Sequence, residues 1–134
     1  MLISTEAFRA ATIVRLHSDV INSSNHVEVR KGLMSLLLPG SRILVDMESL
    51  VALDATGLGA LLRWIRAAEH AGAQICFFNL SKQVRGFFEL LSLHQTIPVR
   101  ESREEAVAAF AGEMDSRHGS RKPNGATRQA VSAS

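Results

Sequence analysis

Between residues 46 and 59 the chain gathers side chains suited to chemistry: carboxylates at Asp46, Glu48 and Asp54, a hydroxyl at Thr56, and bare backbone at Gly57 and Gly59. Paired carboxylates can divide acid and base work between them. Here Asp46 falls inside the apolar run RILVDM and no nucleophile accompanies the acids, so strand-end and helix-capping roles account for them. The step Asp54-Ala55-Thr56-Gly57 leads into apolar residues at helical spacing, which puts Thr56 at the expected N-cap, where a hydroxyl accepts helix N–H bonds. A phosphoryl group on that hydroxyl would sit at the positive end of the helix dipole among unpaired amides. Its charge of about −2 would remake the surface that a partner meets. Capping alone explains a threonine at this position, and capping and modification are compatible.

The surface in question follows from winding the helix at about 100° per residue. Leu58, Leu61, Leu62 and Ile65 form the expected core stripe, and Thr56 lines up on the other side with Gly59, Ala60, Arg63 and Ala67. An exposed helical glycine costs about 1 kcal/mol relative to alanine. Gly59 is therefore read as a position kept small so that a partner helix can approach. Trp64 flanks this face, where an aromatic side chain would anchor an interface.

Other chemistries find no support in the residue pattern. His17, His26, His70, His94 and His118 show neither i, i+4 pairing nor acid-rich surroundings, so no metal site is expected. There is no G-x-S-x-G elbow, P-loop or dinucleotide fingerprint, and the expected protein is a non-enzyme without a cofactor. Cys76, the single cysteine, lies in QICFFNL and reads as a buried, inert strand thiol.

A chain of 134 residues suits one domain with one core, and 46% hydrophobic against 21% charged residues is an ordinary globular balance. No apolar run is long enough to span a bilayer, and the first residues lack a secretory pattern, so the expected compartment is the cytoplasm with no membrane insertion. The pI near 9.2 comes from the end of the chain. Residues 115–134 carry a net charge of +3, through Arg117, Arg121, Lys122 and Arg128 against Asp115, while residues 1–114 carry −1. With almost no large apolar residue, 115–134 is expected to be a flexible basic tail and not a nucleic-acid arm.

The elements that must position the Thr56 face follow from periodicity. Strands are expected near 2–7, 11–17, 42–47, 74–80 and 96–99, the first two forming a hairpin through Phe8, Arg9 and Ala10. A first helix carries Val29, Leu33, Leu36 and Leu37, with Asn25 as cap and Glu28 at N3. The second runs from Leu58 to a C-cap at Gly72. After Ser81 comes a third, with Val84, Phe87, Phe88 and Leu91. The fourth starts at a Ser102/Glu105 capping box and carries Val107, Phe110, Ala111 and Met114. An initial hairpin followed by alternating helices and strands implies an α/β fold: a single mixed sheet of about five strands, later ones parallel, with one helical layer on one face.

The run VDMESLVALDATGLGALL, then AGAQICFFNLSKQVRGFFELLSL and the closing SREEAVAAF, resembles the STAS domain of bacterial anti-sigma factor antagonists over nearly all of residues 1–114. The D-x-[ST]-G-L step and the N-x-S-x-x-V-x-x-x-F/L-x-x-x-x-L pattern carry the resemblance most specifically. It implies that Thr56 is the acceptor for a partner anti-sigma factor with Ser/Thr kinase activity, Asp54 being the acid two places before it. It also implies partner switching: the unphosphorylated form binds the anti-sigma factor and frees a sigma factor, phosphorylation dissolves the complex, and a phosphatase reverses the change. Together with the helical winding, the expected partner face comprises Asp54, Ala55, Thr56, Gly57, Gly59, Ala60, Arg63 and Trp64. Many phosphorylated antagonists have Ser-Ser where this chain has Ala55-Thr56. A threonine acceptor also resembles stressosome scaffolds and the STAS subunits of lipid-transport ATPases, which leaves open an accessory domain without a phosphoswitch. A small-molecule or nucleotide-binding STAS module is a third reading.

Overall fold

In the computed structural model, residues 2–110 are described. The chain runs β1 (Ile3–Phe8), β2 (Ala11–Leu16), β3 (Val20–Ile21), α1 (His26–Met34), β4 (Arg42–Asp46), β5 (Ala52–Leu53), α2 (Ala55–Ala71), β6 (Gln74–Phe78), α3 (Lys82–Leu90) and β7 (Val99–Arg100). A helical turn at Leu93–Gln95 precedes β7, and a fourth helix, α4, occupies residues 103–110. The five-stranded mixed sheet has the order β1-β2-β4-β6-β7; β1 is antiparallel to β2 and the other pairs are parallel. β3 and β5, too short to show in the sequence pattern, form a separate parallel pair.

Alternation along the strands divides the core in two. Val14, Leu16, Ile43, Val45, Ile75 and Phe77 point to the side covered by α1, α2 and α3. Ile13, Leu44, Cys76 and Phe78 point to the opposite side, where Ala106 and Phe110 of α4 cover them. The expectation of one helical layer on one face is therefore corrected: α4 lies on the second face. The physical reason is that β4 and β6 carry unbroken apolar runs, residues 43–45 and 75–78, with no polar alternation, as strands buried on both faces do.

Several expected details hold. Gly72 closes α2 with φ +77, Cys76 is fully buried, and the Ser81 hydroxyl accepts from the Val84 amide to cap α3. At α4, Ser102 Oγ accepts from the Glu105 amide, while the Glu105 carboxylate turns back to the Glu101 amide instead of closing on Ser102. Asn25 is the N-cap residue of α1 as expected, but its side chain makes no capping bond: it accepts from the Asn22 amide and donates to the Val20 carbonyl, stitching the β3–α1 loop. Ala111, Met114, the boundary at 114 and the segment 115–134 lie outside the described residues.

Candidate functional site

β5 delivers the chain directly into α2, and the junction is tightly held. Asp54, extended at φ −93 and ψ −176, is the N-cap of α2; its Oδ1 accepts from the Gly57 amide at 2.8 Å and its carbonyl from the Leu58 amide at 2.9 Å. Thr56 is thus corrected from the N-cap to the second helical position. Aspartate two residues earlier has an extended backbone and a carboxylate of the right reach, so it takes the capping bond first. The Thr56 hydroxyl is left exposed and free of a capping role. A helix leaves its first amides without carbonyl partners, and among them the cap satisfies that of Gly57.

The buried stripe of α2 consists of Gly57, Ala60, Leu61, Trp64, Ile65 and Ala68, while Leu58 and Leu62 border it half-buried. Ala55, Thr56, Arg63 and Arg66 are exposed, and Gly59, half-exposed, lies among them. Three members of the expected partner face therefore change place. Ala60 points inward against α1, where it lines the narrow gap shared with Val29 and Leu33. Trp64 is fully buried and stands edge-on to Phe77 with ring centroids 6.1 Å apart; Phe77 meets Phe88 of α3 in the same way at 5.1 Å. Gly57 is buried where a Cβ would stand 2.0 Å from the Ile21 carbonyl oxygen, so its smallness serves the approach of α2 to β3.

Gly59 is the opposite case: a Cβ there would meet nothing within 4 Å. No intramolecular packing requires its lack of a side chain. What remains of the expected face is compact: Asp54, Ala55 and Thr56 at the helix start, then Gly59 and Arg63 on the same side. Arg66 continues it and was not singled out in the sequence, although its spacing of seven from Gly59 puts it on that side of the helix. Neither Arg63 nor Arg66 forms an ion pair among the described residues, so the face carries uncompensated positive charge.

Asp46 and Glu48 do not belong to this face. Asp46 ends β4, buried, and is bonded by Arg15 from the neighbouring strand β2. Arg15 carries no signal in its local sequence; only the strand register brings the two residues together.

The family model described as STAS domain matches residues 3–106. The anti-sigma factor antagonist BtrV of Bordetella bronchiseptica, so named, is 28% identical over 92 residues, covering 68% of this chain and 79% of that protein. Among solved structures, the anti-sigma factor antagonist SpoIIAA in its unphosphorylated form superposes with a TM-score of 0.56 at 18% identity, covering 87% of this chain and 98% of that one. The murine anion transporter Slc26a9 superposes with a TM-score of 0.63 at 23% identity over 78% of this chain, which spans only 18% of the transporter. At these identities the two structures speak for the fold alone. No helix among the described residues is long and apolar enough to cross a membrane.

Proposed function

The chain belongs to the STAS domain family, and from that premise we propose that it is an anti-sigma factor antagonist acting by partner switching. In this reading it performs no catalysis itself. Unphosphorylated, it binds an anti-sigma factor with Ser/Thr kinase activity through Asp54, Ala55, Thr56, Gly59 and Arg63. Phosphorylation of Thr56 releases the partner and a phosphatase restores binding. The relative named as an anti-sigma factor antagonist supports the class of partner.

The observation that carries the reading is the position of Thr56: exposed, second in α2, with the capping bond already supplied by Asp54. A kinase can reach the hydroxyl without breaking a bond that holds the helix. The added phosphate would lie near the amide end of a 17-residue helix, where an anion is tolerated. The fold survives in this reading while the charge of the docking face changes.

The test is phosphosite mapping after incubation with the anti-sigma kinase of the native host, together with binding of that protein to wild type, Thr56→Ala and Thr56→Glu. Modification at Thr56 and weaker binding by Thr56→Glu are expected. Modification elsewhere, with Thr56 untouched, refutes the switch. A second reading, an accessory domain resting on a transporter, is favoured by the fold likeness to a domain within an anion transporter. It requires no modification of Thr56, so intact mass before and after phosphatase treatment of protein from the native host separates the two.

A further inference from the structure

The sheet face opposite α1–α3 holds a second polar site, remote from Thr56 in its construction. Strand register builds it in rungs. Ser4 of β1 stands opposite Arg15 of β2, which stands beside Asp46 of β4; on the next rung Glu6 stands opposite Ile13, which stands beside Leu44. α4 covers Ile13 and Leu44 but leaves the upper rung open. Between Arg103 at the start of α4 and the strands β1 and β2 lies a cleft of about 410 Å³, whose lining includes Ser4, Glu6, Ile13, Arg15, Asp46 and Arg103.

Asp46 is the only buried charged residue among those described, and its carboxylate is saturated. One oxygen accepts from Arg15 Nε at 3.1 Å and Nη2 at 2.8 Å; the other accepts from the Glu48 amide at 3.0 Å and Asn79 Nδ2 at 3.2 Å. A carboxylate with four donors has little capacity left for a ligand. It acts on Arg15 instead, fixing one edge of the guanidinium, which also pairs with the exposed Glu48 carboxylate at 3.5 Å while 45% of the Arg15 side chain stays exposed. The bonding to Asp46 also raises the Arg15 pKa, so the guanidinium is a permanent cation. Across the cleft, Arg103 Nη2 lies 2.8 Å from the Glu6 carboxylate, an exposed pair whose net contribution is small and which a stronger anion can displace. Ser4 Oγ and His17 Nε2, 2.6 Å apart, supply hydrogen-bonding groups from β1 and from the residue that follows β2.

We propose that this cleft binds a small phosphomonoester of about sugar-phosphate size, its phosphate seated between Arg15 and Arg103 beside the Ser4–His17 pair and its polar body lying over Ile13. Two guanidiniums on separate elements, one of them already oriented, suit a tetrahedral dianion better than a single planar carboxylate. The volume falls in the range of small-molecule sites, and the mainly polar lining selects a polar body over an apolar one. Glu6 and Glu48, both exposed carboxylates, take the role of internal competitors for Arg103 and Arg15. The site is independent of the Thr56 switch, so either can fail alone.

The experiment titrates the full chain with glucose 6-phosphate, with glucose and malate as separate arms, following backbone amide shifts by NMR. Saturable shifts at Ser4, Arg15, His17 and Arg103 are expected with glucose 6-phosphate and not with glucose. Arg103→Gln removes one charge-assisted contact and should weaken binding about tenfold. Glu6→Gln frees Arg103 and should strengthen binding about threefold. Glu6 is exposed and Arg103 half-buried, neither belongs to the core, and the same spectra verify that the variants retain the fold. No saturable shift at these residues, malate binding as tightly as the phosphate, or equal affinity in wild type and both variants would overturn the proposal.

Discussion

Gly57 faces the Ile21 carbonyl so closely that a Cβ on it would stand 2.0 Å from the oxygen, whereas a Cβ on Gly59 would meet nothing within 4 Å. Two glycines in the first turns of one helix therefore answer to different demands. Ile21 belongs to β3, whose partner β5 runs straight into α2, so the approach at Gly57 fixes where the helix begins. Gly59 points away from that contact and is constrained by nothing within the chain.

The contrast predicts opposite signs for the same substitution. Gly57→Ala forces the helix off a backbone carbonyl that cannot rotate aside, at an expected cost of about 1–3 kcal/mol. Gly59→Ala removes backbone freedom from the unfolded chain and adds helix propensity, an expected gain of up to about 1 kcal/mol. Urea unfolding of the two variants beside wild type checks both; a gain at both positions would refute the close approach at Gly57.

The cap makes a separate prediction. Asp54→Ala removes the bond to the Gly57 amide and should cost about 1 kcal/mol. Thr56→Ala, one turn position inside the helix with an exposed side chain, should change stability by less than half as much. Thermal melts decide; an equal loss from the two would return the capping role to Thr56.

These residues also show what the sequence can and cannot reveal. The four longer strands and the helices were legible because their apolar periods are strong, whereas β3 and β5 were not and the last strand lies at Val99–Arg100, past most of the expected 96–99; the exposed side of α2 was legible at Thr56, Gly59 and Arg63. Ala60 and Trp64 were misplaced because the helical wheel was centred on the leucines. The true stripe instead runs through Gly57, Ala60 and Ala68, small residues that let α2 lie close against its neighbours, and seats Trp64 beneath them. Leu58 and Leu62 are pushed to the border. The second helical layer was written in the uninterrupted apolar runs of β4 and β6, since a one-sided sheet would alternate. The pairing of Arg15 with Asp46 joins residues 31 apart through strand register, which no local pattern encodes.

Trp64 should behave as core. Trp64→Ala deletes the ring that meets Phe77 and is expected to cost about 3–5 kcal/mol. Trp64→Phe should recover a substantial part of it. Partner binding by the phenylalanine variant, measured under conditions where it is folded, should match wild type. A binding loss with stability intact would restore Trp64 to the interface.

The docking face itself is tested by steric and charge changes that leave the fold alone. Gly59→Arg places a long side chain into open space, so the domain should unfold at or above the wild-type temperature. If the partner lies on this face, the same side chain should lower its affinity by at least about tenfold, because a close approach is obstructed by steric exclusion. Thr56→Glu adds an acid in the first turn of α2, favourable to the helix dipole by a few tenths to about 1 kcal/mol, yet it should weaken binding by imitating part of the phosphate charge. Arg63→Glu reverses an unpaired cation on the same side and should slow association most at low salt. Isothermal titration of the anti-sigma partner against the three variants, with calorimetric melts of each, separates docking from folding. Wild-type affinity in both Gly59→Arg and Thr56→Glu would remove α2 from the interface and leave Gly59 without a functional explanation.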